Sequence, residues 1–394
     1  MESRSGRFLA AFFLSELLIT VTLSLYNILI DPYTLFDDHF TKNHVDYGAN
    51  VMSTADERLT KSYDVFRGQP NGLILGSSDV DMGLDAMNPD WPRVSTPIYN
   101  LGIFALGLSD SYHYLRHILQ LRRINLVVIG IGFDTFMGRW VNPLDEQSLS
   151  RLSEQSANVQ LKDLVTAALS FDALTASTDS IADSVMGVHP TYISGNHPVD
   201  LSRREKGGPG STALFRFTEI RNISVAGLKP SAASRIDDLR EILKLCVSKR
   251  IRVIVVINPV HAYMLESYSQ LGVWQRFEDW KRDLTSVTAS VETDSGHPGL
   301  VELWDFSGYD RYSTTELPMA ITWFWDTGHY THKLGDLVIH RLFVRNGNPE
   351  FGVRLTPETV DADLEVIRQR QLEYRETHRD AEGELRRIYN ETPH

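Results

Sequence analysis

The sequence predicts an α/β protein built on a parallel sheet, carried behind one membrane-spanning helix. Three observations lead there. Short, continuous apolar runs recur along the chain, with Leu73–Leu75, Leu126–Gly132 and Arg252–Pro259 the clearest. Helix-periodic segments separate them, and strands alternating with helices are the pattern of crossover-connected parallel strands. Ahead of both lies a far longer apolar stretch at the N-terminus. The 394 residues suffice for one large domain with insertions or for two smaller domains.

That first stretch, Phe8 to Ile30, is long enough to cross a bilayer as a helix. Arg4 and Arg7 precede it, and Asp31, Asp37 and Asp38 follow. The positive-inside rule then puts the N-terminus in the cytoplasm and the remaining chain across the membrane. The run exceeds a signal-peptide core and lacks a small-x-small cleavage site, so an uncleaved anchor over residues 1–30 is expected. Glu16, mid-span, reads either as a contact to another membrane protein or as a tolerated glutamate.

Residues 31–350 are expected to form the α/β domain. Arg58, Lys61 and Arg67 read as a solvated helix face before the first strand, which ends abruptly in Gly76-Ser77-Ser78. A second strand over 96–100 closes at Asn100-Leu101-Gly102. A helix capped near Ser109-Asp110 leads to the third strand, 126–132, which ends at Phe133-Asp134. From about 140 to 230 the pattern lapses into polar sequence with Gly207, Gly208, Pro209 and Gly210, and an insertion or lid is expected. A helix over 232–249 resumes it, with Ile236, Leu239, Ile242, Leu243 and Cys246 on one face. That placement makes Cys246 a core residue. Strand 252–259, a helix around 262–285 carrying Trp274, Phe277 and Trp280, and strand 301–306 follow. Residues 351–394 read as a charged, partly helical tail.

Composition narrows the chemistry. The net charge of −12 offers no basic stripe for nucleic acid. A single cysteine excludes an intrachain disulfide and any cysteine metal cluster, and no HExxH or HxH pattern points to zinc. No cofactor is called for. A serine at the C-terminal end of a buried strand, before a helix, sits where α/β folds place reactive groups. A serine hydroxyl needs a base within reach, and the best candidate is Asp326-Thr327-Gly328-His329. There the carboxylate can orient one imidazole nitrogen while the other faces the serine. The same spacing also describes an Asp326 helix cap with a surface His329 in the first turn. Trp323, Trp325 and Tyr330 beside it read as core ahead of sugar-stacking platforms.

Taken in order, Gly76-Ser77-Ser78, Asn100-Leu101-Gly102 and Asp326-x-x-His329 resemble the blocks of the SGNH (GDSL-like) hydrolase superfamily. The set resembles most the membrane-anchored bacterial members of the alginate O-acetyltransferase and teichoic acid D-alanine transfer type. The likeness covers roughly residues 55–345 and is patchy between 140 and 230. It implies a three-layer, flavodoxin-like sheet, Ser78 as nucleophile, His329 as base and Asp326 as its orienting acid. It also implies oxyanion donors at the amides of Ser78 and Gly102. Ser77 stands where the GDS aspartate is usual, and Asn100, Asp134 and Asp305 are implied as accessory or substrate-facing. Asp305 is a second-ranked partner for His329. One departure is plain: the third block, Gly130-Ile131-Gly132-Phe133-Asp134, lacks the usual asparagine.

The function implied is acyl transfer, acetyl foremost, to a cell-envelope or exported polysaccharide through an acyl-serine. A multipass membrane protein would be the acyl-donor partner. The alternatives are an esterase releasing acyl groups from a glycan or lipid to water, and a non-catalytic subunit of a polysaccharide synthesis or export complex. The expected location is the bacterial inner membrane, single-pass, with the site on the periplasmic or extracellular side.

Overall fold

The computed structural model describes residues 2–33, 35–36, 57–136, 141–153, 157–185, 232–316, 319–344 and 350–378. In chain order come α1 (Glu2–Ile30), α2 (Glu57–Arg67), β1 (Gly72–Gly76), α3 (Ser78–Gly83), β2 (Ile98–Gly102) and α4 (Leu108–Leu121). Next are β3 (Leu126–Ile131), α5 (Phe133–Phe136), α6 (Glu146–Ser153), α7 (Ala157–Leu169), α8 (Phe171–Val185) and α9 (Ala232–Ser248). The chain continues through β4 (Arg252–Ile257), α10 (Ala262–Gln270), α11 (Trp274–Ser295) and β5 (Val301–Asp305). It ends in α12 (His332–Phe343), β6 (Val353–Leu355) and α13 (Val360–Thr377). Two compact units result: one gathers α1, α2 and α6–α8, the other everything else.

The larger unit is the expected α/β body. Its six strands lie in the order β2-β1-β3-β4-β5-β6, parallel except for β6, which runs antiparallel to β5. Every predicted strand is present. The runs are continuously apolar because both faces are covered. Ile74, Val128, Ile254 and Val256 point to one face and join a core with Leu334 and Val338 of α12. Their neighbours Leu73, Val127, Val253 and Val255 point the opposite way and are equally buried. β1 lies between β2 and β3, so the chain leaves it first to one side and later to the other. The carboxyl ends of strands at such a reversal border a crevice.

Residues 351–377 differ from the expected tail. Its few apolar positions were too sparse to announce a packed element, yet β6 extends the sheet and Leu364, Ile367 and Tyr374 of α13 are buried. Arg368 and Arg375 tie that helix to Glu278 and Glu266, at 2.5 and 2.9 Å.

In the smaller unit, α7 and α8 pack along the C-terminal end of α1. The described residues 146–153 and 157–185, expected as part of an insertion or lid in the α/β domain, form helices α6–α8 and are grouped with α1. Residues 207–210 lie outside the described ones. Asp163 of α7 binds Arg151, Gln147 and the Tyr63 hydroxyl, so three helices share one buried carboxylate. α1 is long and apolar enough over Ser5–Ile30 to span a membrane, and Glu16 is exposed upon it.

Candidate active site

The serine turn is shaped by close packing at the end of β1. Gly76 has φ +153°, and a side chain there would stand 2.8 Å from the Gly130 carbonyl oxygen. Only glycine fits this bend, which lets the chain leave the sheet at once. Ser77 is extended and sits at the N-cap of α3, and Ser78 is the first helical residue. Ser78 is half-buried, with its hydroxyl toward the crevice. Asn100 fixes the far end of this short helix. Its amide nitrogen donates to the carbonyls of Val80 and Leu84, each at 2.8 Å.

The histidine arrives on a loop closed by its own hydrogen bonds. Trp325 N–H donates to the His329 carbonyl at 2.7 Å, and Phe324 and Tyr330 pair across the base. Within the loop Asp326 Oδ1 accepts the N–H groups of Gly328 and His329, at 2.9 and 2.8 Å. The same carboxylate meets His329 Nδ1, both oxygens at 2.9 Å. An ionised carboxylate only accepts, so in the neutral ring Nδ1 carries the proton and Nε2 keeps its lone pair. Nε2 lies 2.9 Å from Ser78 Oγ. Burial acts to raise the Asp326 pKa, but the His329 charge and these hydrogen bonds outweigh it and hold the carboxyl below its ordinary value. Thr331 is the N-cap of α12, so Asp326 closes a turn of its own and does not cap that helix.

Two residues that the sequence reading did not single out complete the surroundings. Asp79 Oδ1 stands 3.9 Å from His329 Nε2, the nitrogen that faces Ser78. The Ser77 hydroxyl donates to Asp79 Oδ1 and Asn258 Nδ2 to Oδ2, each at 3.0 Å. Burial, with Asp134 adding repulsion, pushes the Asp79 carboxyl above the ordinary aspartate range despite the opposing effect of His329. Asn258 follows β4 and fits against Gly130, where a side chain would strike Val80 and the Asn258 amide. Its own Oδ1 faces the Tyr330 hydroxyl at 3.4 Å. Asp79 adjoins the serine in sequence, which was the available signal. Asn258 becomes legible only once β4 is known to lie beside β3.

Several expectations need correction. Gly102 does not offer its amide to an oxyanion, because that N–H donates to Asn100 Oδ1 at 2.8 Å. Asn100 does not face a substrate, since it is fully buried with its amide spent on α3 and Gly102. Asp305 does not orient His329. It is buried against Lys281 Nζ at 2.5 Å and accepts from Ser307. Ser77 donates its hydroxyl to Asp79, whereas the hydroxyl that meets His329 is that of Ser78. Asp134 is half-buried in α5. Tyr330, by contrast, is core as expected, its ring filling the space beside Gly83, and Trp323 packs edge-on against Tyr312.

The Ser78 amide opens α3, where the helix itself supplies no carbonyl to the first N–H groups. Among the described residues no three metal-ligating side chains converge. The chain matches no protein-family model and no curated protein sequence.

Proposed function

We propose that this protein is a serine acyltransferase of the SGNH type, with Ser78 as nucleophile, His329 as general base and Asp326 as the orienting acid. The observation that carries the reading is the unbroken relay from Ser78 Oγ through His329 to Asp326, each link 2.9 Å. A serine, an imidazole and a carboxylate in hydrogen-bond series are the parts nucleophilic catalysis requires. The order 2-1-3-4-5 of the parallel strands, with the serine after β1, supports the SGNH-like, three-layer form of the fold.

In the first half-reaction Ser78 Oγ attacks an acyl ester while His329 Nε2 takes its proton. Asp326 holds the ring and balances the imidazolium. The Ser78 amide meets the developing oxyanion. Collapse expels the donor alcohol, which takes the proton from His329, and leaves an acyl-serine. The acceptor hydroxyl then loses its proton to His329 and attacks that ester, returning Ser78.

A sugar hydroxyl of an envelope or exported polysaccharide is the acceptor we assign, with acetyl as the acyl group. The support is the resemblance together with α1, which suits single-pass anchoring on the outer side of an inner membrane. A multipass membrane protein delivering the acyl group fits the same arrangement. The test supplies purified full-length protein with p-nitrophenyl acetate, with and without an oligosaccharide. Acetylated oligosaccharide, absent with Ser78→Ala, is expected. Acetate alone would make the protein an esterase, and no Ser78-dependent turnover would make it a non-catalytic subunit.

A further inference from the structure

From α1, α7 and α8 we infer that the α7–α8 hairpin is a second membrane contact, seating Leu169 and Phe171 at the boundary between lipid headgroups and acyl chains. The inference rests on α1 spanning the bilayer and is independent of the serine chemistry.

The hairpin is fixed to α1 at one level. Asn27 Nδ2 donates to the Ala168 carbonyl at 3.0 Å, and the Ser177 hydroxyl donates to Asn27 Oδ1 at 3.1 Å. The last turn of α7 and the second turn of α8 therefore both meet α1 at residue 27. That level can be placed in a bilayer. The apolar segment Ser5–Ile30 has 26 residues. The hydrocarbon core, about 30 Å thick, takes about 20 residues at ~1.5 Å each. Centred, the core ends close to Asn27, so the hairpin tip lies at the same boundary.

The tip carries the side chains that such a position needs. The helices are joined through Ser170 alone, whose Oγ accepts the Ala173 N–H at 3.0 Å and caps α8. On either side Leu169 and Phe171 are 52% and 81% exposed. Leu161 and Val165, spaced four residues apart with Leu169, continue an exposed apolar stripe along α7. The exposed Thr175 and Thr178 hydroxyls turn back onto the carbonyls of Phe171 and Leu174. Ser15 and Thr22 of α1 do the same, so these hydroxyls present little unmet polarity to lipid. Behind the tip Tyr33 packs with Ala167, Ala173 and Ala176, which holds the hairpin at its angle. Asp172 at the start of α8 sets the depth: the carboxylate stays among the headgroups while its neighbours go below.

The experiment uses full-length protein, Cys246→Ala, in phosphatidylcholine vesicles. A polarity-sensitive fluorophore is placed singly at Leu169→Cys, Phe171→Cys, Asp179→Cys and Leu18→Cys. Labels at 169 and 171 are expected to lose most of their emission to 5-doxyl phosphatidylcholine and little to iodide. The label at 179 should do the reverse. Iodide quenching at 169 and 171, with quenching by 12-doxyl phosphatidylcholine retained at 18, overturns the proposal. Protection from both quenchers also overturns it and points to a protein covering the tip. Absence of quenching at 18 by 12-doxyl phosphatidylcholine, whose nitroxide lies near the bilayer centre, means that α1 does not span, and the proposal falls with that reading.

Discussion

Two carboxylates near the carboxyl ends of the sheet make opposite use of burial. Asp326 faces a histidine whose second nitrogen opens onto a half-buried serine. Asp305, at the end of β5, is sealed against Lys281 and the Ser307 backbone and hydroxyl. Asp363 adds a second acid there: burial, then the nearby Asp305 charge, raise its pKa to about 7. The first arrangement sets the outer imidazole nitrogen against a serine hydroxyl. The second closes a carboxylate onto a buried cation, with neither group open to the crevice. On the proposed function, what separates chemistry from structure is the partner and its access to the crevice, not the carboxylate.

The contrast breaks most visibly at the proposed nucleophile and its base. Ser78→Ala or His329→Ala should lower acyl turnover by about a million-fold, read by ester cleavage, while thermal unfolding stays near that of the parent. Asp326→Asn should cost about ten-thousand-fold, because the amide permits the wrong histidine tautomer. Lys281→Ala should act on stability instead. It leaves Asp305 buried without its cation, at a cost of about 3–5 kcal/mol in denaturant unfolding. Turnover per folded molecule should hardly change. Were Lys281→Ala to abolish turnover in folded protein, the division between the two carboxylates would be wrong.

Smaller effects sharpen the comparison. A negative Asp79 favours the protonated imidazole, so Asp79→Asn should move the acid limb of the turnover profile to lower pH. An unmoved limb would remove Asp79 from the site's electrostatics. Asp363 binds its proton more tightly folded than unfolded. Its contribution to stability is therefore full below the ordinary aspartate range and is lost as pH rises toward its folded value of about 7. Denaturant titrations between about pH 4 and pH 7 should show that slope, and Asp363→Asn should flatten it.

Much of this was legible in the sequence. β1, β3 and β4 are continuously apolar because they are buried on both faces, so their runs stand out. Ser78 and the Asp326-to-His329 spacing are local patterns, and the fold brings them together. The tight turn makes the Asp326 contact nearly inevitable once the loop forms. Long-range pairings were not legible. Nothing near Asp305 in sequence points to Lys281, and nothing near Asn100 shows that its amide serves α3 and Gly102. β6 is too short to show a period, and its partner lies some fifty residues upstream. The helices at 146–185 have helical patterns of their own, but their allegiance to α1 rests on contacts such as Asn27 to Ala168.

The central claim is that His329 makes Ser78, and not Ser77, a nucleophile. Full-length protein treated with a fluorophosphonate, digested and mapped by mass spectrometry tests it directly. The account predicts one adduct, on Ser78, formed readily in the parent and lost in His329→Ala. An adduct on Ser77, or an unlabelled Ser78 in folded parent protein, would contradict it.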